Sequence, residues 1–273
     1  DLGSSNGTFV DGKAVRRSMI TNSNTLQAGQ VIIEFTHQGL RSRRDTKVRL
    51  DAQNLHLSVQ NNTMVLVNDV SVSILPGEMV ALMGPSGAGK TSLLDILSGK
   101  RQATKGTVFV NNIPLHKNLS ELRHLIGYVP QEDIMHRDLT VFEVLYDAAK
   151  LKLPADLPNE QIVENVDRLI TKMGLAHIRD QLIGDEKNRG ISGGQRKRVN
   201  IAIELITTPK LIFLDEPTSG LDSKATLELM ELLRELADEG RTIVMTIHQP
   251  RREAFELLDN LILLIKGGRL AFY

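Results

Sequence analysis

The 273-residue sequence contains no cysteine, which excludes disulfides, thiolate metal sites and thiol catalysis. It has no surplus of either charge. Lys+Arg and Asp+Glu number 33 each, whereas a bulk nucleic-acid binder carries an excess of positive charge. No stretch approaches the roughly 18 apolar residues that span a bilayer. The most apolar run, residues 261–265, is only strand-sized, so any membrane role is expected to come from another domain or chain. No signal peptide opens the sequence, and residue 1 is Asp1 rather than Met, so the chain is expected to be an internal piece of a longer one. No heptad run or internal repeat is present. What remains is ordinary globular material: 41% hydrophobic and 24% charged residues, enough for one large α/β domain and a small extra module.

The pattern changes near residue 47. Before it, Thr8-Phe9-Val10 and Lys13-Ala14-Val15 flank Asp11-Gly12, a hairpin signal. A further strand is expected at 31–35. The basic run Arg41-Ser42-Arg43-Arg44 reads as part of a linker at 41–46. After it, strands are expected at 55–59, 64–67 and 70–74. Residues 79–83 form a continuous apolar run, as in a parallel strand buried on both faces. A Gly-rich turn and a helix at 91–97 follow. Similar apolar runs recur at 211–214 and 242–247, separated by helical stretches such as 227–237. Residues 138–188 read as helical: Val141, Leu145 and Ala148 share one face, as do Ile162, Val166, Leu169 and Met173. Alternating segments of this kind imply an α/β fold with a mostly parallel sheet.

The segment Gly84-Pro85-Ser86-Gly87-Ala88-Gly89-Lys90-Thr91, continuing into Ser92, matches G-x-x-x-x-G-K-[ST]. Its glycines let the backbone wrap phosphate oxygens with N–H groups turned inward, and the helix that starts there adds its positive dipole end. Lys90 would then reach the β- and γ-phosphates and the Thr91 hydroxyl would ligate Mg²⁺. Residues 211–214 deliver Asp215 and Glu216 to a strand end, where parallel sheets gather their ligands. Asp215 is the expected Mg²⁺ partner. Glu216 is placed to orient or deprotonate an attacking water. The strand at 242–247 carries His248 to the same edge as a candidate γ-phosphate contact. Gln131, after Gly127-Tyr128-Val129-Pro130, is polar at the end of a short apolar run and by itself uninformative.

Ile191-Ser192-Gly193-Gly194-Gln195 completes the set. With the motifs above, in this order, it closely resembles the signature of ABC-transporter nucleotide-binding domains. The resemblance covers roughly 47–273, with a helical subdomain at about 135–190 and an antiparallel β subdomain. It implies a P-loop ATPase using ATP and Mg²⁺. Ser192, Gly193, Gly194 and Gln195 would address the nucleotide of a second copy across a dimer interface. Asp222 would stand in the D-loop, His248 would be the switch histidine, and Gln131 would sit at the metal and the attacking water. Ser192-Gly193-Gly194 also precedes a helix at 196–205, a second anion-binding helix N-terminus. Within that helix Arg196-Lys197-Arg198 reads as a solvated face. Residues 189–198 and Ile247-His248-Gln249-Pro250-Arg251 resemble the G (white-type) subfamily, in which a membrane domain follows the cassette. One departure stands out. Many ABC domains stack adenine on an aromatic residue where this sequence has Val59, and His56 is the substitute within reach.

Ser4-Ser5-Asn6-Gly7-Thr8-Phe9-Val10-Asp11-Gly12 resembles the late strands of a forkhead-associated (FHA) domain, a family that binds phosphothreonine peptides. Ser5 and Asn6 match positions near the peptide. The family's earlier Gly-Arg and Ser-x-x-His motifs are absent, so residues 1–40 would be a truncated sandwich. An FHA module ahead of a G-like cassette resembles a bacterial architecture, which would place the protein on the cytoplasmic face of a bacterial membrane. The expected partners are a second cassette, a C-terminal membrane domain and, for an intact FHA domain, a phosphothreonine protein. Two other readings compete. A soluble ABC ATPase acting on nucleic acid or ribosomes would carry a long coiled coil or two cassettes, and this chain has neither. A signalling adaptor with a dead cassette is opposed by intact Lys90, Asp215, Glu216 and His248.

Overall fold

The computed structural model describes residues 8–11, 13–21, 24–28, 31–36, 39–43, 47–59, 64–132, 135–184 and 190–273. The chain divides into two compact units, residues 1–46 and 47–273.

The first unit is an antiparallel sheet. β1 (Thr8–Val10) and β2 (Lys13–Ala14) form the hairpin that Asp11-Gly12 signals, with Phe9 opposite Ala14 and Val10 opposite Lys13. β3 (Thr25–Ala28), β4 (Val31–Thr36) and β5 (Gly39–Arg43) complete the order β2-β1-β3-β4-β5. The expected linker is therefore corrected. Residues 41–43 are strand, with Arg41 opposite Glu34, Ser42 opposite Ile33 and Arg43 opposite Ile32. Ladder hydrogen bonds come from the main chain, which a polar edge strand supplies as well as an apolar one. Ser4, Ser5, Asn6, Gly7, Gly12 and residues 44–46 lie outside the described residues.

The second unit holds two sheets. An antiparallel one, ordered β10-β9-β6-β7, is built from β6 (Leu50–Val59), β7 (Met64–Ile74), β9 (Lys105–Val110) and β10 (Ile113–Pro114). The strands expected separately at 64–67 and 70–74 are one strand, carried through Asp69 at φ 53, where the pairing with β6 shifts register. The other sheet has the order β11-β12-β13-β8-β14-β15, with β8 (Met79–Met83), β11 (Ile126–Val129), β12 (Leu211–Leu214), β13 (Thr242–Thr246), β14 (Asn260–Ile265) and β15 (Arg269–Phe272). All its pairs are parallel except β14 with β15.

The continuous apolar runs have a two-sided cause. Met79, Ala81, Ile212, Leu214, Ile243 and Met245 pack into one core, while Val80, Leu82, Leu211, Phe213 and Val244 pack into a second on the opposite face. Successive side chains of a strand point to opposite faces, so a strand covered on both sides needs apolar residues at every position. α1 (Lys90–Leu97) packs into the second core together with the antiparallel sheet. α3 (Val141–Lys152), α4 (Asn159–Lys172), α5 (Gly193–Leu205) and α6 (Ser223–Asp238) contribute to the first. α2 (Leu119–Leu122) and α7 (Arg252–Phe255) are single turns. The helical expectation for 138–188 holds over α3, α4 and a short 3₁₀ turn at Ala176–Ile178, but residues 179–184 are not helical. Among the described residues no helix is long and apolar enough to cross a membrane.

Candidate nucleotide-binding site

The loop between β8 and α1, with the first two residues of α1, is the Gly84-to-Thr91 segment. Gly89 caps α1 at φ 95, and a Cβ there would stand 2.1 Å from the Leu66 carbonyl oxygen. Gly84, at φ 149, would place a Cβ 2.3 Å from the Leu264 carbonyl oxygen. Both glycines are thus imposed by backbone passing close on either side. The first N–H groups of α1 have no carbonyl partner within the helix. Pro85, Ser86 and Gly87 are exposed, Ala88 is buried, and Ser92 is half-buried. Lys90 is buried, and its ammonium donates to the carbonyls of Gly84 (3.0 Å) and Pro85 (3.2 Å), which holds it within the loop it serves.

Three parallel strands end beside this loop. β12 runs into Asp215, which is 6% exposed and accepts at Oδ1 from Thr91 Oγ1 (3.2 Å) and Thr246 Oγ1 (2.7 Å). β11 leads to Gln131, whose Nε2 donates to Glu216 Oε2 (2.9 Å). β13 leads to His248, whose Nε2 lies 2.8 Å from Glu216 Oε1. Glu216 is the hub of this set, and its backbone is left-handed, φ 46. Pro217 follows it, and a residue before proline is pushed toward extended geometry. Holding a non-glycine residue at such a φ costs about 1–3 kcal/mol. β11 is pinned in turn. Tyr128 donates its hydroxyl to Asp95 of α1 (3.0 Å), and Lys100 lies 3.6 Å above its ring. Burial, and then the Asp95 carboxylate, push the phenol pKa well above its usual value, so the group stays a donor.

Ser192, Gly193, Gly194 and Gln195 lie elsewhere. Ser192 caps α5 by accepting from the Gln195 N–H (3.3 Å), and the Gln195 side chain accepts from the Ser192 N–H (2.8 Å) in return. The two glycines neighbour α6 and the turn before it: a Cβ on Gly193 would meet Leu221, and one on Gly194 would meet Ala225, while Gln195 Nε2 lies 3.2 Å from His177 Nε2. Asp222 caps α6 by accepting from the Ala225 N–H (2.9 Å). Gly89 and Gly84 of the phosphate loop border Leu66 and Leu264 instead. The candidate residues therefore form two groups with different neighbours.

The solvated-face reading of Arg196-Lys197-Arg198 is corrected. Lys197 is buried, and its ammonium donates to the Gln131 carbonyl. Arg196 donates to the Ile191 carbonyl (3.2 Å), and Arg198 bonds Glu228 of α6 (2.8 Å). A long aliphatic stem can be buried when its charged end finds an acceptor, so charge alone did not reveal the buried lysine. Sequence reasoning also passed over Thr246, a hydroxyl near the end of an apolar run two residues before His248; its place at the strand end that carries His248 was the available signal.

The oxygen-rich donor set suits a nucleotide with Mg²⁺. Among the described residues no cluster of three or more His, Cys, Asp or Glu forms an all-protein metal cage. Mg²⁺ needs none, since it keeps several waters and binds through one or two protein groups plus phosphate oxygens. The Thr91 hydroxyl and the Asp215 carboxylate, 3.2 Å apart, are such groups. Val59 closes β6 opposite Met64, two residues from Leu66, whose carbonyl borders Gly89; His56 lies in the same strand, opposite Lys105.

Sheet order, phosphate loop and strand-end carboxylates together define a P-loop nucleotide-binding cassette with mixed sheets and helices. A family model described as "ABC transporter" matches residues 67–219. The chain is 43% identical over 232 residues to "ABC transporter G family member 28" of Arabidopsis thaliana, covering 84% of this chain and 21% of that protein. It is 42% identical over 216 residues to "ABC transporter G family member 2" of Dictyostelium discoideum, covering 78% and 16%. A solved structure, cbiO1 from Clostridium perfringens, described as part of the ABC transporter complex cbiONQ, superposes with a TM-score of 0.72 at 29% identity, covering 82% of this chain and 86% of that one. The chain belongs to the ABC transporter family, as its ATP-binding domain. It spans about a fifth of the length of these G-family relatives. They are plant and amoebal proteins, which lend no support to a bacterial setting.

Proposed function

We propose that this chain hydrolyses ATP and that the hydrolysis drives a transporter of the G (white-type) kind. The carrying observation is the Glu216 carboxylate held between Gln131 and His248, at the mouth of a loop shaped for phosphates. In this reading ATP lies along Gly84 to Ser92, and its Mg²⁺, held by Thr91, Asp215 and Gln131, offsets charge on the phosphate oxygens. Lys90 neutralises the β- and γ-phosphates. Glu216 takes the proton of the attacking water while Gln131 orients it, and His248 contacts the γ-phosphate. Adenine lies by Val59 or His56.

The separation of the two motif groups supports a symmetric dimer. Ser192, Gly193, Gly194, Gln195 and Asp222 of one copy would meet the nucleotide held by the phosphate loop of the other. A membrane domain elsewhere in the full-length protein is the second partner, with this chain on the cytoplasmic face. The balanced charge argues against nucleic acid as a partner. For residues 1–40 the reading is the late strands of an FHA domain, supported by the five-stranded antiparallel sheet and its β1–β2 hairpin.

Phosphate release from Mg-ATP is the test. The chain should turn over ATP, and Lys90→Ala should reduce turnover to background. Equal release by both proteins would refute the reading.

A further inference from the structure

We propose that Thr246 is a positioning residue for this reaction: one hydroxyl sets the Asp215 carboxylate and the Glu216 main chain at once. The inference rests on the hydrolysis reading above. Thr246 is completely buried near the end of β13. Its Oγ1 donates to Asp215 Oδ1 (2.7 Å) and accepts from the Glu216 N–H (2.7 Å). A carboxylate only accepts, so the hydroxyl hydrogen points to Asp215 and an oxygen lone pair is left for Glu216.

The parallel register places the contact. Leu214 stands opposite Met245, so Asp215, one residue on, comes beside Thr246. The second hydrogen bond falls on the residue whose φ is 46 ahead of a proline. A chain left to itself would relax toward extended backbone there and swing the carboxylate away from Gln131 and His248. The Thr246 hydroxyl holds the Glu216 N–H and so anchors the peptide plane on the N-terminal side of that torsion. β13 thus supplies His248 and also fixes the group that His248 bonds.

Thr242, in the same strand, shows what an ordinary buried threonine does. It is also fully buried, donates to the Val48 carbonyl (3.0 Å) and accepts from the Gly77 N–H (3.1 Å), at the opposite end of the strand. The two residues match in burial and in bond count, and differ in whether the partners belong to the site.

The experiment compares Thr246→Val, Thr246→Ser and Thr242→Val in the whole chain. Thr246→Val should lower kcat for ATP roughly 10–100-fold, the usual effect of losing a group that orients a ligating side chain. KM should stay within about threefold, because the phosphate loop is untouched. Thr246→Ser, which keeps the hydroxyl, should recover most of kcat. Thr242→Val should lower the melting midpoint and leave kcat near wild type. Hydrogen exchange at the Glu216 amide should accelerate in Thr246→Val and not in Thr242→Val.

Wild-type kcat in Thr246→Val, or Thr246→Ser as impaired as Thr246→Val, overturns the proposal. If Thr246→Val does not fold, Thr246→Ala is judged by the same criteria. If the wild-type chain hydrolyses no ATP, the hydrolysis reading fails, and exchange at Glu216 alone decides the role of Thr246: unchanged protection in the variant refutes it.

Discussion

Replacing Glu216 by glutamine exchanges one carboxylate oxygen for an amide nitrogen and removes the charge. The geometry indicates what survives. Gln131 offers Glu216 an Nε2 donor at 2.9 Å, so the new amide oxygen would take that side. The new NH₂ would then face His248 Nε2 across 2.8 Å, which accepts if the neutral ring carries its proton on Nδ1. Both contacts are kept, the backbone at φ 46 is unchanged, and Glu216→Gln should fold and bind ATP as the wild type does. What is lost, on the reading proposed above, is the proton acceptor. General-base catalysis contributes roughly 10²–10⁴-fold, equivalent to about 2.7–5.4 kcal/mol of barrier at 1.36 kcal/mol per decade. Steady-state phosphate release measures the loss, with nucleotide affinity determined separately on the same protein. Because hydrolysis would be slowed and binding spared, ATP should hold the variant as a dimer, visible by size-exclusion chromatography. Turnover within a few-fold of wild type, with ATP still bound, would mean that Glu216 is not the base. Glu216→Ala is the contrast: it strands Gln131 and His248 without a partner, and a fall in its stability beside an unaltered Glu216→Gln would separate scaffolding from chemistry.

Base selectivity should be weak, since in the proposed reading the loop, Lys90 and Mg²⁺ all address groups shared by every nucleoside triphosphate. Val59→Tyr should tighten ATP binding by roughly one to two orders of magnitude, because aromatic stacking on a base is worth roughly 1–3 kcal/mol and about 1.4 kcal/mol is tenfold. No gain from the tyrosine, or a wild-type preference for ATP over GTP above about thirtyfold on the same scale, would point to His56 as the adenine contact. Calorimetry with phosphothreonine peptides should show no phosphate-dependent binding, because residues 1–40 lack the FHA family's earlier phosphate-contacting motifs. Micromolar affinity would overturn that expectation.

Much of the cassette was legible because its core strands are buried on both faces. Residues 79–83 and 211–214 form strands over those same positions. A two-sided strand writes its burial into every residue, whereas a one-sided or edge strand does not. That is why β5, β9 and β15 escaped. The β9–β10 hairpin did leave a mark: Asn111 and Asn112 both take positive φ in its two-residue turn, as a type I′ turn demands. The site was legible where spacing carries the chemistry, as in Gly84 to Thr91. It was illegible where a polar side chain acts from within an apolar run or along a charged helix. Thr246 passed as one more β-branched residue, and Lys197 as one of three basic neighbours.

The bond from Lys197 to Gln131 has an evolutionary consequence. Its acceptor is a main-chain carbonyl, present whatever side chain occupies position 131, whereas the donor exists only while residue 197 keeps a long side chain ending in N–H. Substitution at 131 can change the chemistry at Glu216 without loosening α5 from this segment. Substitution at 197 can loosen it while leaving every side chain of the site in the sequence. The two positions should therefore drift independently across relatives, and a search for correlated substitutions would overlook a contact that joins the signature helix to the strand end beside the site.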